Sequence, residues 1–277
     1  MPPLRPADRR RRTLLLLLLG GLMVAAIVVG GWAAQDAATT TNLHAVSRPP
    51  SMEHWLGTDR LGRDMLARTV VGLRLSLAVG TISALVSSLI ALVLAALAVT
   101  GGRLAAAVVE WLINLFLALP HLVLLILIAF ALGGGTTAVV LAIGLTHWPA
   151  LTRVLTAQAR RVIGSEYVAG SRDLGSTAFR IARHHVVPHL LPYLLVGAVL
   201  MFPHAILHEA ALSFLGLGID SDQPAIGVLL ADSMKVLSAG KWWLAVLPGA
   251  CLLVLTKAID SIGANLRALL DPRSFHQ

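Results

Sequence analysis

Six stretches of the chain are apolar over about 20 residues or more, at roughly 13–34, 74–100, 104–132, 136–157, 191–212 and 243–265. Each is long enough to cross a hydrocarbon core as a helix. The pattern predicts six membrane-spanning helices. The first run follows Arg9, Arg10, Arg11 and Arg12. It is longer than the roughly 7–15 apolar residues of a secretion signal, and reads as a retained anchor. Three polar connections are long, at about 35–73, 158–190 and 213–242, whereas Gly101–Arg103 and Gly133–Gly135 are short turns that predict antiparallel neighbours.

Composition agrees with a lipid environment. Hydrophobic residues make up 57% and charged residues 13%, and mean hydropathy is +0.80, against about 45–50% and 25% in soluble domains. A soluble, disordered or disulfide-stapled protein is excluded; the lone Cys251 cannot pair within the chain. The formal charge of +8 would suggest nucleic acid in a soluble protein. With the N-terminus cytoplasmic, however, the inner segments hold 14 basic and 4 acidic residues, and the outer segments 7 of each. The excess therefore follows the positive-inside rule, predicts both termini cytoplasmic, and calls for lipid rather than nucleic acid as its partner.

Residues 158–190 carry Arg160, Arg161, Arg172, Arg180 and Arg183 beside Val162, Tyr167 and Val168. They read as a short amphipathic helix, a break at Gly175, a second short helix, and Pro188 and Pro192 where the next span begins. Such a segment either lies on the lipid surface or docks in a partner's groove.

Residues 169–188 resemble the EAA loop of bacterial ABC importer permeases, with Ala169, Gly170 and Ser171, then Gly175, then Pro188 at the family spacing. Ala169 stands in place of the motif's Glu, with Glu166 three residues earlier, and His185 replaces Ile. The external segment is similar to the signature of the peptide/nickel permease family through His54, Gly57, Thr58, Asp59, Gly62, Arg63 and Asp64. Residues 209–219 and Asp271-Pro272 resemble two further segments of that family. The resemblance implies an all-α integral membrane protein of type I importer architecture in the bacterial inner membrane. Residues 1–34 would form the N-terminus and first span, 35–73 an external segment, 74–272 the permease core and 273–277 a tail. It also implies a homologous permease partner, two ATPase subunits that bind ATP and Mg, and an external substrate-binding protein. The ATPase would dock on a loop containing Glu166, Ala169, Gly170, Ser171, Arg172, Gly175 and Pro188. The chain has no G-x-x-x-x-G-K-[ST] phosphate loop, so it is expected to be no enzyme and to bind no cofactor itself.

Ionisable groups at membrane depth are costly and mark function by default. Lys257 and Asp260, three residues apart, are expected to pair on one helix face, and Glu110 and His121 to join helices. His204 and His208 lie four apart and project from one face, with Glu209 beside them and His147 available from the fourth span. They either hydrogen-bond across the bundle or contact a metal ion, for which imidazole nitrogens are suitable donors. The placement of His147 before Trp148, and of His204 and His208 before residues 210–218, looks more like the nickel-permease branch. The expected cargo is therefore nickel (Ni²⁺) or a metal chelate; the alternatives are a di- or oligopeptide carried by the same machine, and a membrane scaffold that transports nothing.

Overall fold

A computed structural model describes residues 6–270; the Asp271-Pro272 match and the 273–277 tail lie outside them. Among the described residues the regular structure is helical. In chain order the elements are α1 (Pro6–Ala33), α2 (Gln35–Thr39), α3 (Met65–Thr100), α4 (Gly102–Ala118), α5 (His121–Ala131), α6 (Gly135–Gly144), α7 (Trp148–Ile163), α8 (Glu166–Asp173), α9 (Ala178–Ile181), α10 (Val187–Phe214), α11 (Ile226–Leu237) and α12 (Trp243–Leu270). A π-helical turn, Ala182–Val186, joins α9 to α10. Five helical stretches are long and apolar enough to span a membrane, and a sixth span forms if the bent pair α4 and α5 counts as one.

The centre is the pair α3 and α10. Along α3 the small residues Gly72, Ser76, Gly80, Ala84 and Ser88 recur every fourth position, and all are buried. This repeat lets backbones approach closely where lipid offers no hydrophobic driving force between helices. A Cβ on Gly72 would stand 2.3 Å from the Pro224 carbonyl oxygen, and one on Gly80 3.1 Å from Ile206. Three apolar clusters hang on this axis. One joins the C-terminal half of α3 to α4, α7 and the segment 168–190; a second joins α3 to α10, α11 and α12, with α1 against it; a third takes in α5 and α6. At 36 residues α3 is about 54 Å long, well beyond the roughly 30 Å hydrocarbon core. It begins at Met65 rather than near 74, so Arg68 and the residues after it belong to the helix and not to the external loop.

The sequence pattern and the structure differ at two spans. The run 104–132 is broken at Leu119-Pro120, where α4 and α5 meet at 96°. Pro120 forces the residue before it out of the helical region, and Leu119 is extended at φ −84°, ψ 141°. The fourth span is interrupted between α6 and α7 at residues 145–147. Pro149 has no N–H for the Leu145 carbonyl, and the Trp148 indole Nε1–H donates to that oxygen instead at 2.9 Å. Thr146 Oγ1 donates to the Ala142 carbonyl (2.8 Å). Non-helical backbone at membrane depth survives when side chains satisfy it in this way. The segment 213–242 is also more ordered than an open loop: it contains α11, drawn against α10 at Gly227, whose Cβ would stand 2.2 Å from the Ala210 carbonyl oxygen.

Candidate functional site

The two breaks bring histidines together. His121 opens α5 directly after Pro120, His147 precedes α7 at the second break, and His208 comes from α10. One ring nitrogen from each lies within 4.8 Å of the others. The rings pack at centroid distances of 4.5 Å (121–147), 5.0 Å (121–208) and 5.2 Å (147–208). His147 Nδ1 lies 3.0 Å from the Ile143 carbonyl oxygen, so that nitrogen carries the proton and Nε2 keeps its lone pair. Nε2 is buried and has no hydrogen-bond partner in the structure. The structure groups these residues differently from the sequence reading in three places. His121, expected to be a helix-joining residue, is part of the cluster. His204 is exposed and stands outside it. Glu209, one residue round α10, points elsewhere and is fully buried, accepting hydrogen bonds from Ser76 Oγ (2.5 Å) and Ser213 Oγ (2.9 Å). Ser213 Oγ in turn accepts the Ile219 N–H at 3.0 Å, so Glu209 ties α3 to α10 and to the connection that leaves it.

His147 and His204 both line a cavity of about 1130 Å³ between α7 and α10, which also reaches Arg267 of α12. Leu151, Val154, Val196, Leu200 and Met201 give it apolar walls, and Gln158, Arg161, His189 and Tyr193 add polar groups. Large, mostly apolar concavities with a few convergent polar groups are the usual form of a site for organic ligands.

The residues of the external signature build a cap on α3. Thr58 Oγ1 donates to the Ala45 carbonyl and accepts the Arg48 N–H. The Asp59 carboxylate accepts from the Leu61 and Arg63 amides and from Arg63 Nε (2.7 Å), and pairs with buried Arg68 at 3.5 Å. Asp64 caps α3 by accepting the Ala67 N–H, and its other oxygen meets His54 Nδ1 at 2.8 Å. Gly62 (φ +71°) leaves no room for a Cβ, which would lie 1.8 Å from the Asn42 carbonyl oxygen; at Gly57 (φ +74°) the Arg48 carbonyl would be 2.6 Å away. These residues are structural here, and the signature is legible as a folding motif.

At the other end of α3, α8 projects from the bundle. Val168 is buried and anchors it, whereas Glu166, Ala169, Gly170 and Arg172 are exposed. Glu166 in the first turn and Arg172 in the last complement the helix dipole. Gly175 turns the chain at φ +81° with open space where a Cβ would go. Leu174 and Phe179 are 90% and 75% exposed. His185, in the place of the expected Ile, contacts Ser171 Oγ at 3.2 Å and packs edge-on to Tyr167, so it fastens α8 to the π-helical turn. Pro188 sits in the first turn of α10, directly after the π-helical turn that joins it to α9. The absent carboxylate at Ala169 changes the exposed surface and not the packing. Lys257 and Asp260 approach to 3.7 Å on an exposed face of α12.

Residues 87–273 match the family described as the binding-protein-dependent transport system inner membrane component. The chain belongs to that family. It is a permease subunit of an ABC importer, built from several apolar membrane helices. Among its relatives, a di/tripeptide transport system permease protein of Pseudomonas aeruginosa is 38% identical over 79% of this chain and 72% of its own length. A dipeptide transport system permease protein of Bacillus subtilis is 34% identical over 81% and 70%, and the oligopeptide counterpart from the same organism 32% over 84% and 76%. These relatives carry peptide names. The match therefore supports the permease family and not the nickel branch suggested by the histidines.

Proposed function

We propose that this chain forms half of the path by which an ATP-driven importer carries di- or oligopeptides across the bacterial inner membrane. The observation that carries this reading is the cavity between α7 and α10: its 1130 Å³ holds a short peptide with room to spare, far more than a single ion needs. Its apolar walls suit varied side chains, and the Arg161 and Arg267 guanidiniums offer bidentate partners for a carboxylate. The peptide names of the relatives point the same way, and peptide cargo replaces nickel as the main reading. The homologous permease would close the open side of the cavity, and an external binding protein would deliver cargo. One of the two ATPases would engage α8, Gly175 and the exposed Leu174 and Phe179, an apolar pair suited to a partner's groove. Closure of the ATPases would then shift α8 and the helices fastened to it, a two-state rocking rather than local chemistry.

The test is uptake by the complete reconstituted transporter with labelled dipeptide, in competition with unlabelled dipeptide and with Ni²⁺. Suppression by dipeptide alone is expected. No uptake of the labelled dipeptide above that of empty vesicles would overturn the peptide reading.

A further inference from the structure

His121, His147 and His208 come from three separate elements, and two of them sit at the interruptions of their spans. Non-helical backbone at membrane depth is found where a membrane protein lines a cavity or builds a site, and at the α6–α7 break the Thr146 and Trp148 side chains satisfy it. The three rings crowd to centroid distances of 4.5–5.2 Å, with one nitrogen of each within 4.8 Å of the others. Simple core packing would not gather three polar rings while leaving one buried nitrogen, His147 Nε2, without a partner.

We propose that His121, His147 and His208 form a binding site for a divalent late first-row transition-metal ion. Three neutral imidazoles are a borderline donor set that suits Zn²⁺, Co²⁺, Ni²⁺ and Cu²⁺ and disfavours Mg²⁺ and Ca²⁺, which take oxygen. The carbonyl of Ile143 fixes the His147 ring, the second contact by which ligating histidines are commonly oriented. A four-coordinate ion with bonds of about 2.0–2.1 Å holds its ligand nitrogens roughly 3.4 Å apart, so nitrogens that lie within 4.8 Å of one another reach that spacing with only a small closure of the rings. Among the described residues no carboxylate joins the set; both oxygens of the neighbouring Glu209 are engaged by Ser76 and Ser213. Three protein nitrogens leave a fourth position open for water or for a donor atom of another molecule. His147 also lines the large cavity, so an ion held here stands in its wall. It would tie the start of α5 and the α6–α7 break to α10, holding together elements that alternate access would move. The site is independent of the cargo reading: it concerns what these imidazoles bind, whatever the cavity carries.

The experiment uses the complete transporter, free of affinity tags, in lipid nanodiscs without peptide, and titrates Co²⁺ as a spectroscopic probe. The wild type is expected to take up one equivalent per copy of this chain with the intense visible absorption of four-coordinate cobalt, and to release it to Zn²⁺. His147→Gln and His121→Gln should each lose that equivalent and its band. His204→Gln should retain both, and His208→Cys should retain the ion and gain a thiolate-to-cobalt charge-transfer band. A wild type that shows no such equivalent overturns the proposal, whatever the variants do. So does a band that survives in the variant lacking all three imidazoles, or one lost with His204 alone. Failure of peptide uptake would bear on the cargo reading and leave these spectra unchanged.

Discussion

Glu209 shows how much one residue's neighbours decide. In the sequence it stands beside a histidine pair and invites a metal role; in the structure its two oxygens are engaged by hydroxyls from α3 and α10. Glu209→Ala leaves both hydroxyls in a dry environment, and an unmade buried hydrogen bond costs about 1–3 kcal/mol. The assembled transporter should lose roughly that much stability in thermal or denaturant unfolding, while Glu209→Gln, which keeps an acceptor for one serine, should lose less. Equal losses would show that the hydroxyls do not depend on this side chain. The histidines teach the converse. His204 and His208 share a helix face, so their spacing is visible in sequence. The partnership of His208 with His121 and His147 depends on two breaks in other spans and on the tilt of α5, which no local pattern encodes. Pro120 and Pro149 were the available signals, since each stands within two residues of a clustered histidine.

Among the elements, hydropathy located every span, because about 20 apolar residues have no alternative in lipid. The interruptions were missed because apolar composition continues through them; only backbone hydrogen bonding changes. The loop at 158–190 was legible in outline, since Gly175 and Pro188 act through backbone geometry that is the same everywhere. Its fastening through His185 was not. Two glycines with nearly equal φ separate strain from crowding. At Gly175 an added methyl meets nothing, so Gly175→Ala should cost only the left-handed penalty of about 1–2 kcal/mol. It should loosen α8, and lower the coupling of ATP hydrolysis to uptake more than it lowers overall stability. At Gly62 the methyl would overlap the Asn42 carbonyl. Gly62→Ala should therefore destabilise the cap by clearly more, read as protease sensitivity of residues 40–64 in the assembled transporter. A Gly62→Ala protein as resistant as wild type would refute the close approach.

For the whole molecule, the external cap and α8 lie at opposite ends of α3, with Asp59 and Arg68 at one end and Ala98 clustered with Val168 and Ile181 at the other. From the charge distribution we propose that the α8 end faces the cytoplasm. With Cys251 replaced by Ser, a membrane-impermeant thiol reagent applied to intact spheroplasts should label Asp222→Cys directly and Thr177→Cys only after the membrane is opened. The reverse labelling would invert the molecule. Membership of the permease family was legible from motifs spread along the chain, because a loop that meets a partner and a cap that starts a helix both need fixed spacings. Cargo was not, since the cavity wall draws on α7, α10 and α12, with no contiguous signature.

The helix α3 is divided unevenly. Its contact with Glu209 falls at Ser76, about 16 Å from the start of the helix and about 36 Å from its far end. Treated as a lever with Ser76 as fulcrum, α3 has one arm roughly twice the other. A sideways stroke delivered beside α8 would reach the cap at about half its amplitude and in the opposite direction. With the force entering beside α8, as the proposed ATPase docking would have it, such gearing would trade distance for thrust at the mouth of the bundle.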